Sequence, residues 1–594
     1  MQQVDLTTLI ALKSELRAQW IPARLEQVYQ CDRFTVKLAL RTLKKRGWLA
    51  LSWHPQAARI GMGEAPPRSP DTFTFSQQLV HQLNGFALVA IEQIAPWERV
   101  IDLQFAQRPQ EPPQWHLYVE IMGKYSNVIL TTADRLVVTA AHQVGTNQSR
   151  VRSIQTGRPY ELPPGLTGPT PALEETQEAW RDRLTLIPGP LKSTILKVYR
   201  GLSSALVLEI LAKANLDPAQ GTDTLTESSW DTLFQTWQSW LATLASESFR
   251  PGWRADGGFT VLGWDVIRPA TSVQDLVDRY YTAQLDRQSF EQLRHQLLQK
   301  LSHALAKLQV KAEVFSNQMA ASDRADRYRQ QADLLMAHLH LWQLGMSQIV
   351  LPDFETEQPV TIPLNPERNA VQNAQVFYRR HQKLRRSRDH VKPLLEAVRQ
   401  EIDYLLQVEA TIEALEQFDS EDDLQILAEI REELIQQKYL SDPDYRAPIE
   451  ARPDFYRYTA PSGGEILIGR NNQQNEQLSF KIAGAYDLWF HTQEIPGSHV
   501  LLRLDAGTAV EPQDLQHAAN LAAYYSRARQ STQVPVVWTE PKNVYKPKGA
   551  KPGMVVYKHE RVIWGNPQNV SAHLHAREPS DLSDDKIQHP SVKR

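Results

Sequence analysis

The sequence predicts a multidomain α+β protein. An N-terminal α+β domain is expected over 1–170, and a helical hairpin (helix-hairpin-helix-like) domain over 171–270. A long antiparallel coiled-coil arm follows over 273–445, then a C-terminal α+β domain over 450–568 and a polar, disordered tail over 569–594. Three observations carry this reading. A chain of 594 residues exceeds what one core can serve. Period-two apolar alternation is concentrated at its two ends, and sustained helical seams lie between them.

The N-terminal runs "GWLALSW", "FALVAIEQI", "RVIDLQF", "WHLYVEIMG" and "SNVILTTADRLVVTAA" alternate apolar and polar positions between Gly, Pro and Asn turns. The proline-rich "TGRPYELPPG" suits a linker after them. "GPLKSTILKVYRGLSSALVLEILAKANL" then reads as two short helices meeting at Arg200-Gly201, with a serine after the glycine to cap the second. Such a hairpin can present a helix N-terminus to phosphate or serve as plain packing.

In the arm, Leu301, Leu305, Leu308, Ala312, Phe315 and Met319 repeat at coiled-coil spacing. So do Leu395, Val398, Ile402, Leu405, Val408, Ile412 and Leu415. Between them "IVLPDFETEQPVTIPLNP" cannot continue a helix, so two long helices with an irregular or β-containing insert at about 347–366 are expected. The C-terminal runs "EILIGR", "DLWFH", "HVLLRL", "VPVVW", "GMVVY" and "RVIWG" read as strands around one helix, "PQDLQHAANLAAYYSRARQS".

Composition narrows the function. The hydrophobic fraction of 42% and charged fraction of 22% are ordinary for a soluble protein. A lone cysteine, Cys31, excludes an internal disulfide and any multi-cysteine metal site, and suits a reducing compartment. The first twenty residues interleave leucine with polar residues, as on an amphipathic helix, so no signal peptide is read and the cytoplasm is expected. Net charge is −3, yet charge is segregated. Arg379–Lys392 carries seven Lys or Arg against Asp389, and Glu401–Glu433 carries twelve acids against Arg431.

The stretch "DLWFHTQEIPGSHV" concentrates chemistry. As a hairpin it would turn Asp487, Trp489 and His491 to one face, with Leu488 and Phe490 to the core, and add His499 and Arg503. A metal site is disfavoured, because thiols are missing and Asp487 and Glu494 lack ligand spacing. Ser498 and His499 are strand neighbours pointing oppositely, so a nucleophilic pair is weaker still. An RNA surface fits better. Trp489 would stack, His491 and Arg503 would donate, and Arg470 and Asn471 of "GRNNQQNE" would reach backbone or base edges. Lys546, Lys548 and Lys551 of "VYKPKGAKPGMVVY" would follow phosphates. The alternative is a solubilising loop beside a structurally buried Trp.

These motifs, with "HLYVEIMGKYSNVIL", "AANLAAYYSRAR" and "VTIPLNPERNAVQNAQVFYRRHQKLRRS", resemble the NFACT family along nearly the whole chain. That family contains ribosome quality-control factors and proteins once labelled fibronectin-binding. The resemblance implies a non-enzymatic factor with no cofactor and no metal. It would bind a large ribosomal subunit holding a blocked peptidyl-tRNA, recruit tRNA (tRNA-Ala in bacteria) and direct template-free tailing of the stalled chain. A small accessory RNA-binding factor, RqcP-like, would assist.

It further implies tRNA contacts at Asp5, Glu98, Arg99 and Glu120, and RNA contacts at Trp489, His491, Ser498, His499 and the residues of the two motifs above. Where the family pattern has Asp-Arg, this chain has Glu98-Arg99, with the carboxylate one methylene further out. Without the resemblance, Glu98 and Arg99 read as a surface ion pair. The architecture also resembles formamidopyrimidine-DNA glycosylases, whose four-cysteine zinc finger has no counterpart here. A surface adhesin and a coiled-coil scaffold without RNA are the remaining alternatives.

Overall fold

The computed structural model describes residues 1–66, 70–145, 147, 152–164, 168–322, 324–441 and 454–570. The tail expected to be disordered lies outside the described residues from 571 onward. The chain is a mixed α+β protein of two compact units, Met1–Asp286 and Arg287–Arg594. Among the described residues, no helix is long and apolar enough to cross a membrane.

The first unit begins with helix α1 (Leu6–Trp20), whose N-cap Asp5 accepts from Thr8 N at 2.8 Å. Then follow β1 (Ala23–Asp32), β2 (Thr35–Arg41), β3 (Arg46–Ser52), β4 (Arg59–Gly63), α2 (Thr74–Leu83), β5 (Ala87–Gln93), β6 (Val100–Ala106), β7 (Trp115–Glu120), β8 (Asn127–Thr132) and β9 (Val137–Ala140). The strands form one antiparallel sheet in the order β4-β3-β2-β1-β5-β6-β7-β8-β9. Alternation sets its inner face: Val36, Leu38 and Leu40 of β2 are buried while their neighbours are not. Leu9, Leu12, Leu16 and Trp20 of α1, at helical spacing, close over that face with Leu79 and Leu83 of α2. On the other face Tyr118, Ile129 and Val137 pack with Ile154 and Tyr160. This double burial leaves most positions of β6 and β7 buried, the polar Asp102 and Glu120 included.

Helices α3 (Gln177–Thr185), α4 (Leu191–Val198), α5 (Ser204–Lys213) and α6 (Glu227–Ser246) share a tryptophan core. Trp180, Trp230, Trp237 and Trp240 are all fully buried, and Trp237 meets Trp180, Tyr199 and Trp240 at centroid distances of 5.8, 5.1 and 5.1 Å. Gly201, at φ +83°, turns the chain between α4 and α5. The region to 270 is not helical throughout. β10 (Gly252–Arg254), β11 (Phe259–Thr260) and β12 (Val266–Pro269) form a small sheet, with strands too short to show a period in sequence. The first turns of α7 (Val273–Ser322) add Leu276, Val277 and Tyr281 to the large core.

In the second unit, α7 continues to Ser322, followed by α8 (Ala325–Ala337), β13 (Gln348–Pro352), β14 (Pro359–Pro363), α9 (Ala370–Ala414) and α10 (Glu421–Gln436). β13 and β14 form a hairpin, Ile349 opposite Ile362, that packs with α8 and the start of α9. Leu297, Leu301 and Leu305 of α7 share one core with Leu405, Val408 and Ile412 of α9. Toward Met319 the α7 seam is only half-buried. A third helix, α10, inserts Ile426, Leu427, Ile430 and Leu434 into the same core. The expected two-helix construction is corrected to that extent, because the acidic run hid an apolar stripe.

The C-terminal sheet holds β15 (Tyr456–Thr459), β16 (Glu465–Ile468), β17 (Leu488–Thr492), β18 (Val500–Leu502), β19 (Val534–Thr539) and β22 (Arg561–Gly565), in the order β15-β16-β18-β17-β19-β22. Helix α11 (Asn472–Gln477), continued by a π-helical turn Leu478–Ile482, lies between β16 and β17 in sequence. Helix α12 (Pro512–Tyr524) precedes β19, and β20 (Val544–Tyr545) pairs with β21 (Val556–Tyr557) as a separate ribbon. Leu488, Phe490, Val500 and Leu502 pack with the alanine-rich α12, and Leu467, Trp489, Leu501 and Val537 pack on the opposite face with Leu478 and Val544.

Trp237 anchors the helical core of the first unit. Trp237→Ala is expected to lower that unit's stability by about 3–5 kcal/mol, measured by urea denaturation; a loss under about 1 kcal/mol would contradict the packing assigned to it.

Candidate nucleic-acid interface

Asp5, Glu98, Arg99 and Glu120, far apart in sequence, line one cavity of about 810 Å³ in the first unit. Two helix starts meet there. Asp5 Oδ1 caps α1, and its Oδ2 accepts from the hydroxyl of Ser203, the cap of α5, at 2.8 Å. Glu98 and Arg99 leave the β5–β6 turn, where Trp97 adopts φ +66°, a left-handed conformation costly for a bulky residue. That turn is held by packing: the Trp97 ring lies 6.0 Å from Trp240, whose Nε1 donates to Thr7 Oγ1 at 3.1 Å. A Cβ at Gly201 would come within 2.8 Å of Trp97 Cε3.

The carboxylates have different surroundings. Glu120, at the end of β7, is 1% exposed and receives Arg152 Nη1 and Nη2 at 3.1 and 2.5 Å and the Tyr160 hydroxyl at 2.7 Å. Burial, then the Glu120 charge and hydrogen bond, push the Tyr160 phenol far above its ordinary range, so it stays a donor. Arg152 stacks over the Tyr160 ring at 5.0 Å and faces the cavity. Glu98 and Arg99 are half-buried and do not form the surface ion pair of the alternative reading. Among the described residues, the Arg99 guanidinium has no hydrogen bond and no carboxylate within 4.0 Å. Burial lowers its pKa, against the raising influence of Asp5 and Glu98. The wall is therefore set, while one guanidinium awaits an acceptor. Sequence reasoning missed Arg152 and Tyr160, which carry no local motif, and gave the serine after Gly201 only as a helix cap, not as a partner of Asp5.

The second unit changes the reading of "DLWFH" and "GRNNQQNE". Trp489 is fully buried and stacks on no solvent-facing ligand; its Nε1 donates to Ser479 Oγ at 2.9 Å. His499 is also buried, its Nδ1 2.7 Å from Ser479 Oγ. Burial pushes His491 down to about 4 and His499 well below its ordinary value, so neither offers a cation near neutrality. Alternation set the directions correctly, but the supposed open face lies against Leu478 and Val544. Asp487 is buried too and pairs with Arg503 at 3.1 Å. Ser498 is half-buried, and its backbone N–H donates to Tyr525 O at 2.8 Å.

The amide motif is turned toward α10. Asn471 caps α11 and donates to Glu429 at 2.6 Å, and Gln474 donates to Glu429 at 2.9 Å. Asn472 donates to the buried Glu433, which also accepts from the Tyr404 hydroxyl at 2.7 Å. Arg470 lies 3.0 Å from Asp454 and over the Tyr456 ring at 4.6 Å. Lys551 Nζ donates to Gln437 at 3.0 Å and sits over Tyr439, so it pins its loop inward. Lys546 is exposed and paired with Glu476 at 2.7 Å, and Lys548 is exposed. Among the described residues, no group of three His, Cys, Asp or Glu could hold a metal ion.

A family model described as the NFACT N-terminal and middle domains matches residues 5–450, and one described as the NFACT protein RNA binding domain matches 454–559. The chain is 30% identical over 572 residues to the Rqc2 homolog RqcH of Streptococcus pneumoniae, covering 93% of this chain and 96% of that one. It is 28% identical over 569 residues to the Rqc2 homolog RqcH of Bacillus subtilis, with coverage of 93% and 96%. A solved structure of the C-terminal part of the fibronectin/fibrinogen-binding protein of Streptococcus suis is 31% identical, covers 47% of this chain and 95% of its own, and superposes with a TM-score of 0.37.

Burial raises the Glu433 carboxyl to about 7 from 4.5. A carboxyl that holds its proton more tightly when folded contributes its stability in full below the unfolded pKa and loses it as pH rises through the folded one. Glu433→Gln keeps an acceptor for Tyr404 without the charge. It is expected to melt higher than the unsubstituted protein at about pH 8 and to match it near pH 5; a pH-independent difference in thermal unfolding would contradict the assignment.

Proposed function

The chain belongs to the NFACT family, and from that premise we propose that it is a ribosome quality-control factor. It binds stalled large ribosomal subunits carrying peptidyl-tRNA, recruits tRNA into its N-terminal cavity and directs template-free C-terminal tailing. The protein supplies position and the ribosome supplies peptide-bond chemistry, so it is not itself an enzyme. tRNA-Ala is the tRNA proposed, and an RqcP-like factor the accessory partner. The middle helices act as a coiled-coil arm, α4 and α5 as a helix-hairpin-helix element, and the C-terminal unit as the ribosome-facing RNA module.

One observation carries the tRNA site: the half-buried Arg99 guanidinium, without a hydrogen-bonding partner among the described residues, in a cavity that also holds Asp5, Glu98 and Glu120. A planar fork of donors suits a phosphate or a base edge, and a cavity of about 810 Å³ can enclose a nucleotide. Arg152 is engaged by Glu120, so Arg99 is the group that gains most from an incoming acceptor.

Arg99→Ala is expected to lower the tRNA recovered with the purified protein about tenfold, the worth of one charge-assisted contact. Co-sedimentation with large subunits should be unchanged, and Arg99→Lys should restore tRNA recovery only in part. Equal tRNA recovery from all three proteins would contradict the site. Sequencing the recovered tRNA reports whether Glu98 supports selection of tRNA-Ala.

A further inference from the structure

With Trp489 enclosed, Phe480, Tyr486, Tyr545 and Trp564 are the aromatic side chains open to solvent among the described residues of the C-terminal sheet region, and of these Tyr545, on the β20–β21 ribbon, is the one with an ammonium over its ring. In its register Val544 opposes Tyr557 and Tyr545 opposes Val556. Val544 joins the buried core on the sheet's face, with Tyr557 packed against it. Alternation therefore turns Tyr545 and Val556 outward, and they are 48% and 50% exposed. Paired across the ribbon, they make a small flat apolar face.

That face sits among cations. Lys558 Nζ lies 5.7 Å from the Tyr545 ring centroid, Lys546 follows Tyr545 directly, and Lys548 stands three residues on. Lys546 is paired with Glu476, whereas Lys548 and Lys558 have no ion pair within 4.0 Å among the described residues. The connecting loop is held at its inner end, by Lys551 on Gln437 and by Gly553, where an added Cβ would touch Asn472 at 3.0 Å. The ribbon is thus presented with little left to order on binding.

We propose that Tyr545 is a stacking platform for an unpaired RNA base, with Lys548 and Lys558 taking the flanking phosphates. This rests on the RNA reading of the C-terminal unit and gives it a contact residue. A base plane fits an exposed phenol beside Val556, and its phosphate meets the ammonium already over the ring. An acidic peptide would satisfy the lysines but leave the flat apolar face without a matching plane. A paired base has no free face to stack, so the contact selects single-stranded segments.

The test uses the full chain and a labelled oligouridylate of about 12 nucleotides, within the span one module covers. Tyr545→Ala is expected to weaken binding about 5- to 100-fold, with Tyr545→Phe and Tyr545→Trp near the unsubstituted value. Its dependence on salt should be unchanged, whereas Lys548→Gln and Lys558→Gln should each make the slope of log K against log salt shallower by about 0.7. All three positions are solvent-facing, and equal melting temperatures establish that each variant folds. Tyr545→Ala binding within about twofold of the unsubstituted protein, while the lysine variants weaken, overturns the stacking role and leaves the RNA reading standing. No binding of the oligouridylate by the unsubstituted protein overturns both. Displacement of the RNA by polyglutamate, with Tyr545→Ala indifferent, identifies an acidic-peptide surface instead and also overturns the proposal.

Discussion

The buried pair of Glu120 and Arg152 is the constraint on which the N-terminal cavity depends. A carboxylate at 1% exposure is tolerated only with compensation, and here it has a two-pronged guanidinium and a phenol. Removing one partner of such a pair costs about 3–5 kcal/mol, because the other charge is left buried alone. The pair therefore holds the strand end of β7 against the segment carrying Arg152 and Tyr160. With those charges matched internally, the Asp5–Ser203 bond closing the helix starts and the strained turn at Trp97 locking the third side, Arg99 is, among the described residues, a guanidinium on the cavity wall left without a hydrogen bond. The cavity sets a few fixed polar groups, Asp5, Glu98, Arg99 and Glu120, in a wall that is otherwise largely apolar.

The C-terminal unit follows a different logic. Its richest run of hydrogen-bonding side chains, Arg470 to Gln474, is spent on attachment to α10 and its neighbours, through Glu429, Glu433 and Asp454. Burial lowers the pKa of His491 and His499, which keeps both neutral. Among the groups left facing solvent are Lys546, Lys548, Lys558 and the aromatic ribbon of the 544–558 segment, carried on a sheet with both faces packed. Packed support below and exposed cations above is an arrangement suited to following a phosphate backbone.

Much of the architecture was readable from residue order. "WHLYVEIMG" and "DLWFH" gave strands because alternation is a local property, and the turn at Gly201 gave the break between α4 and α5. Alternation assigns a side chain to a face but does not say whether that face is covered, so Trp489 was read as exposed. Asparagine and glutamine advertise donors without naming the acceptor, so "GRNNQQNE" was read outward although Glu429 and Glu433 lay inward. Strands of two to four residues, β10 to β12, fall below any period, and the stripe of α10 was masked by its acids. At the candidate site, the grouping of Asp5, Glu98, Arg99 and Glu120 came from family likeness, since no spacing joins them. Ser203 had a local signal as a cap but none as a partner of Asp5, and Arg152 had no signal short of the fold.

The central claim is that the N-terminal cavity receives a tRNA nucleotide. Ultraviolet cross-linking of tRNA to the full chain, with adducts mapped by mass spectrometry, tests it most directly. The account predicts adducts on Trp97, Met122 or Tyr125 of the cavity wall, abolished by excess unlabelled tRNA. Specific adducts confined to residues outside that wall would contradict it.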